Sequence, residues 1–281
     1  MSRVAQVPDR VRLAQCLREP ELGPRLLFFS GGTALRAISE TLKGYTHNSI
    51  HLITPFDSGG SSAKLRDAFD MLAVGDLRNR LMALADKTVK GSPDVYRLFS
   101  YRLDEGVDVA DLLAELRSMG SGQHELVTTL DPSVREIVCH HLRIFLAHMP
   151  GDFDLRGASI GNLILAGGYL ASEGDILSVL FLFSRLVEVR GIVRPIVEDS
   201  CHLAAQLSEG RSLLGQHRIT RVSSEAMAIE RLYLIDSQEA CKPITAQITE
   251  EVADLVCKAD LICYPVGSFY TSVLAAAEKR L

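Results

Sequence analysis

The spacing of apolar residues changes period several times along the chain, and each change marks an element. Two short apolar runs, RLLFFS (25–30) and SIHLITPF (49–56), have the length and residue types of buried strands. Between them, TALRAISETLKG spaces Leu35, Ile38 and Leu42 along one helix face. Strand, glycine turn, helix and strand form a βαβ unit, which predicts a parallel sheet. From about 62 to 189 the period is helical, in DLRNRLMALAD, VDVADLLAELRSM, DPSVREIVCHHLRIFLAHM and DILSVLFLFSRLVEV. From 190 onward RGIVRPIV, LAAQLSEGRSLLG and RLYLID read as strands, with SEGR as a turn. TEEVADLVCKA then predicts a helix that leads into a strand, DLICYP, and a last glycine turn, VGSFYTS. The expected class is α/β: a parallel sheet with helices on both faces and a helical insertion in the middle of the chain. Residues 1–24 read as a lead-in and 25–281 as a single domain.

Composition narrows the function classes. Of 281 residues, 47% are hydrophobic and 23% charged, which is ordinary for a folded chain and unlike a disordered one. A net charge of −5 gives no general attraction to nucleic acid or anionic lipid. The six cysteines form no CxxC pair, so they read as reduced thiols rather than a disulfide framework. The N-terminus has no long apolar stretch of a signal peptide, and ILSVLFLFSRLVEV and NLILAGGYLA are too short or interrupted to span a bilayer. The expectation is a cytoplasmic protein with neither nucleic acid nor membrane as partner.

Four glycine-rich stretches carry the candidate chemistry. In FFSGGTALR, Gly31, Gly32 and Thr33 follow a strand and precede a helix, where backbone N–H groups can close around an anion, with Arg36 one turn in. The stretch lacks a full GxGxxG fingerprint and any GK[ST], and it reads equally as a tight turn. In FDSGGSSAKLRDAFDMLAVGDLRNR, Asp57 ends the second strand ahead of Gly59, Gly60, Ser61 and Ser62. Asp57 and Asp76 are a pair suited to one Mg²⁺, an ion that takes few carboxylates and fills its shell with water and phosphate oxygens. Asp76 reads equally as a helix N-cap. Arg66, Arg78 and Asn79 supply contacts to an anionic substrate, although either arginine suits a solvated face as well. GASIGNLILAGGYL offers Ser159, Gly161 and Asn162, with Ser159 more readily an N-cap than a nucleophile, since no GxSxG elbow surrounds it. In GSFYTS, Gly267, Ser268 and Thr271 sit at another strand exit. Cys139, His140 and His141 are adjacent on a helix and point in different directions, so a packing role is expected there.

Taken in order, these segments resemble the CofD-like superfamily, which includes the 2-phospho-L-lactate transferases of deazaflavin coenzyme synthesis and the YvcK proteins of cell-wall and carbon metabolism. YvcK-type members carry GGGTGL, TVADDGGSSGRLR, PPGDIRN, GHSLGN and GPGSLYTS; here those places read SGGTAL, TPFDSGGSSAKLR, AVGDLRN, GASIGN and PVGSFYTS. The pattern is nearer to YvcK than to the coenzyme-forming enzymes and is similar to a divergent subgroup named for the GAK system. The resemblance implies a Rossmann-like fold. It also implies phosphoryl-type transfer from a nucleotide-diphosphate-linked donor to a hydroxyl, with Mg²⁺ held by Asp57 and Asp76 and with Arg78 catalytic. The alternative it implies is a regulator that binds a GDP- or UDP-type ligand without turnover; homo-oligomers are expected in either case.

The departures from that pattern are specific. Ser30 and Ala34 stand for glycines of the first turn, Ser58 for the second acid, Ala158 for the histidine of GHS, and Pro265-Val266 for Gly-Pro. The chain stops nine residues after Ser272, where similar proteins continue, so the expectation is either a shortened version or a protein with a part missing.

Overall fold

A computed structural model describes residues 8–31, 34–88, 92–223, 229–237 and 241–265. In chain order it runs α1 (Arg10–Arg18), β1 (Leu26–Ser30), α2 (Arg36–Leu42), β2 (Ile50–Ile53), α3 (Gly60–Phe69) and α4 (Gly75–Leu84). The helical stretch continues through α5 (Pro93–Ser100), α6 (Val109–Gly120), α7 (Glu125–Thr128), α8 (Pro132–His148), α9 (Ile160–Ala171) and α10 (Ile176–Leu186). The last part holds β3 (Ile192–Pro195), β4 (His202–Leu207), β5 (Ser212–Leu214), α11 (Gln216–Ser223), β6 (Ile229–Ile235), β7 (Pro243–Ile244), α12 (Glu250–Cys257) and β8 (Leu261–Cys263).

Strand alternation decides what each face of the first sheet meets. The order is β3-β2-β1-β8, all parallel, with Leu27 opposite Ile50 and Phe29 opposite Leu52. Those side chains face one apolar core, shared with Ile219 of α11, Val252 of α12, and Leu203 and Leu234 of a second sheet. Ile53 and Val193 face a second core, shared with Leu77 and Leu81 of α4. Helices therefore flank the parallel sheet on both faces, as the βαβ pattern predicts. β2 lies on one side of β1 and β8 on the other, and such a reversal of order opens a crevice at the carboxyl ends of the strands.

Of the late strands β3 and β8 extend this sheet, but β4 to β7 do not. They form a separate antiparallel one, β5-β4-β6-β7. The SEGR turn is the cause: Leu207 N–H donates to the Arg211 carbonyl at 2.9 Å and Gly210 takes φ +82°, a hairpin too tight for a parallel return.

Beneath the parallel sheet the helical layer centres on α9, in which every residue from Ile160 to Gly168 is buried. A helix apolar on all sides belongs in the interior. It can lie close to α8 only because Gly167 lacks a side chain: a Cβ there would stand 2.0 Å from the His141 carbonyl oxygen. Phe145 of α8 meets Phe69 and Phe153 edge-on at 5.7 and 5.6 Å. Among the described residues no helix is long and apolar enough to cross a membrane.

Two outcomes follow from this packing. Gly167→Ala lowers stability by roughly 2 kcal/mol in denaturant unfolding, whereas Gly151→Ala, where a Cβ meets nothing within 4 Å, leaves it unchanged. The second concerns pH. Burial holds His141 and His202 neutral, each with a pKa down to about 4, and pushes His51 well below its usual value. The unfolded chain takes up those protons first, so stability declines as pH falls from about 6.5 toward 4. A flat urea midpoint across that window contradicts the assignment.

Candidate functional site

The loop after β2 is fastened on every side. Asp57, half-buried, accepts the Gly59 N–H on Oδ1 at 3.1 Å. Arg66 of α3 reaches back under the loop, donating to the Asp57 carbonyl at 3.4 Å and to the Cys201 carbonyl at 2.6 Å. Ser58 Oγ accepts the His217 backbone N–H at 3.1 Å and lies 2.9 Å from His217 Nδ1, so it caps α11 from outside that helix. Ser61 Oγ accepts from Asn162 Nδ2 at 2.9 Å. Ser62 presses on Gly75, where a Cβ would stand 2.2 Å from its hydroxyl and 3.4 Å from Asp57 Oδ2. Asp57, the Gly59–Ser62 turn, the first turn of α4 and Asn162 of α9 thus converge.

α4 brings the charges. Asp76 is buried in its first turn, but Val74 rather than Asp76 holds the N-cap position. Arg78 lies across Gly161 and donates to the Phe99 carbonyl at 3.1 Å and to Asn79 Oδ1 at 2.6 Å. Burial lowers its pKa to about 10, neighbouring Arg102 and Arg36 push the same way, and Asp76 opposes them. The guanidinium stays charged at neutral pH. Sequence reasoning missed Arg80, which is more deeply buried than either. Its signal was available: Arg80 falls in line with Leu77 and Leu84 on the inward stripe of α4.

The helices that meet here share a second property. α3, α4 and α9 have no side-chain cap, and neither do α2 and α5, whereas α1, α6, α8, α10 and α12 are capped by Asp or Thr. Their first N–H groups carry a partial positive charge suited to an anion. Ser159 occupies the N-cap position of α9, yet its hydroxyl makes no cap bond. Arg66 Nε, Arg78 Nε, Arg80 Nε, Ser159 Oγ and Asn162 Oδ1 are five of the ten buried side-chain atoms left without a partner among the described residues. Native interiors satisfy nearly all such atoms, with protein, water or ligand partners, and these five belong to α3, α4 and the start of α9.

The remaining sequence candidates fall as follows. Gly31, half-buried, ends β1 at the same edge of the sheet as Asp57, and Gly60, at φ +52°, opens α3. Gly32, Thr33, Gly267, Ser268 and Thr271 lie outside the described residues. Arg66 is a brace between two backbone carbonyls rather than a cation facing open space. Among the described residues no group of three or more His, Cys, Asp or Glu side chains could hold a metal. An open groove of about 570 Å³ between α1 and α2, lined by Leu13, Ile38 and Leu42, has no charged lining and lies apart from this cluster.

A family model described as 2-phospho-L-lactate transferase CofD matches residues 26–276. Over 251 residues the chain is 29% identical to the gluconeogenesis factor of Bacillus subtilis (strain 168), which takes in 89% of this chain and 60% of that protein. Two crystal structures of one Bacillus halodurans protein, described as a member of the upf0052 family, match with TM-score 0.63 at 26% and 25% identity. Each covers 90% of this chain and 62% of the other. The chain thus spans about three-fifths of the length of these relatives.

Ser58→Ala removes the cap of α11 and lowers stability by roughly 1 kcal/mol. Amide exchange in residues 216–223 rises, while exchange in α8 and α9 stays the same.

Proposed function

The chain belongs to the CofD family, and from that premise we propose that its Asp57 loop binds a nucleotide-diphosphate-linked ligand and supports phosphoryl-type transfer to a hydroxyl. The observation that carries this reading is the set of orphaned buried polar atoms around three uncapped helix starts beside Asp57. Phosphate oxygens supply the acceptors that Arg78 Nε and those N–H groups lack. The donor set also suits a hard divalent cation. Asp57 Oδ1 is engaged by Gly59, while Oδ2 faces the first turn of α4, where Asp76 follows Gly75. Asp57, with Asp76 alongside, would hold Mg²⁺, which supplies neutralisation of phosphate charge when bound. Arg78, fixed by Phe99 and Asn79, orients the anion, and the Gly59–Gly60 backbone allows it to come close.

A second reading is a nucleotide-binding regulator without turnover. Ser58 favours it: at the position where similar proteins carry a second acid, the hydroxyl is committed to α11. The name of the Bacillus subtilis relative, a gluconeogenesis factor, points the same way.

Thermal shift with GDP, GMP and UDP-sugars, with and without Mg²⁺, tests both readings. The expected result is a Mg²⁺-dependent rise in Tm of several degrees that Asp57→Asn abolishes. If no nucleotide stabilises the wild type, both readings fail. Stabilisation without release of a nucleoside monophosphate in a turnover assay selects the regulator.

A further inference from the structure

Among the described residues the largest fully buried side chain is an arginine. Arg80 is 2% exposed, ahead of every phenylalanine in size among the side chains shut off from solvent. Its guanidinium donates to two hydroxyls, Ser39 Oγ at 2.5 Å and Ser30 Oγ at 3.4 Å, and its Nε has no partner. None of the ion pairs among the described residues includes it. Asp76, one turn earlier on the same face of α4, is the acid whose charge reaches it, and Arg78 draws on that same carboxylate. Two buried cations thus share one buried acid.

Burying a charge without a full counter-charge is destabilising, and an apolar side chain of similar volume is commonly tolerated as well or better in such a place. The hydroxyls at Ser39 and Ser30 offset part of the desolvation cost but bring no counter-charge, so the positive charge stays in excess. What the surplus charge faces is the carboxyl end of β1: Ser30 is the last residue of that strand, and Gly31 begins the turn beside the Asp57 loop. An anion bound at this edge feels the guanidinium through protein rather than water, where a charge acts over a longer distance.

We propose that Arg80 is a fixed counter-charge for a phosphate group held at the carboxyl end of β1, acting through its field and through Ser30 without touching the ligand. It is a positioning residue, and the assignment rests on the nucleotide-binding reading above. Its contribution is independent of any metal at Asp57, because the charge is permanent and already inside the fold. The residue also gives Ser30 a function: a glycine at that position could not receive the guanidinium.

Calorimetric titration with GDP and with inorganic pyrophosphate, each with and without Mg²⁺, tests this on wild type, Arg80→Met, Arg80→Lys and Asp57→Asn. Arg80→Met is expected to be folded, with a Tm equal to or above wild type, and to bind both probes roughly tenfold more weakly whether or not Mg²⁺ is present. Arg80→Lys keeps the charge and retains most of the affinity, while Asp57→Asn loses only the Mg²⁺-dependent part. The proposal is overturned by wild-type affinity in Arg80→Met, by a lowered Tm in that variant (the mark of a plain brace between β1 and α2), or by equal losses in Arg80→Lys and Arg80→Met. Absence of any binding by wild type sinks the nucleotide reading itself, and it appears in the wild-type titration alone.

Discussion

Arg66 holds together what the sequence separates. With one nitrogen on the Asp57 carbonyl and another on the Cys201 carbonyl, it ties the loop after β2 to the entrance of the antiparallel sheet. A buried guanidinium can be stable when bonded to carbonyls, and here the bond also fixes the backbone on which Asp57 stands. Ser58 on His217, Ser61 on Asn162 and Ser62 on Gly75 add three further attachments to the same few residues. The loop has contacts with both sheets and with the helical layer, so it cannot shift without disturbing one of them. Rigid support of that kind is what lets a half-buried carboxylate keep a fixed direction.

The second consequence is electrical. A chain with net charge −5 has placed Arg66, Arg78 and Arg80 inside, close to one edge of a sheet. The exterior gives no hint of this, since solvated acids set the overall sign. Three uncapped helix starts add partial charges of the same sign at the same place. The positive potential at this edge is therefore local, built from buried groups that salt screens poorly, rather than spread over the surface.

How much of this was legible in the sequence depended on the kind of signal. The βαβ start, the helical middle and the SEGR hairpin were all visible, because each is written in short-range spacing and turn chemistry. The partition of the late strands into a second sheet was not, since alternation reports that a strand has a buried face and says nothing about its neighbour. The same limit applied to Arg66 and Arg78: both read as cations for a ligand, and only the fold shows one turned onto carbonyls and the other lying over Gly161. Ser58 read as a lost acid, whereas in the structure it is a cap for a helix that starts 158 residues later. Arg80 was legible in principle, as a charge in line with Leu77 and Leu84 on the apolar stripe of α4.

The position of β8 has a consequence in time. β1 is a central strand, yet its second neighbour comes from the far end of the chain, where the Asp260 carboxylate accepts the Arg25 N–H across 235 residues of sequence. A ribosome making this protein delivers LLFF long before the strand that covers its open edge. Until residues 261–263 are made that edge is an unpaired template, and the closure that finishes it spans 235 residues. Pairing of β1 with β8 is therefore a slow step, and the nascent chain needs its apolar first strand shielded until α12 and β8 arrive.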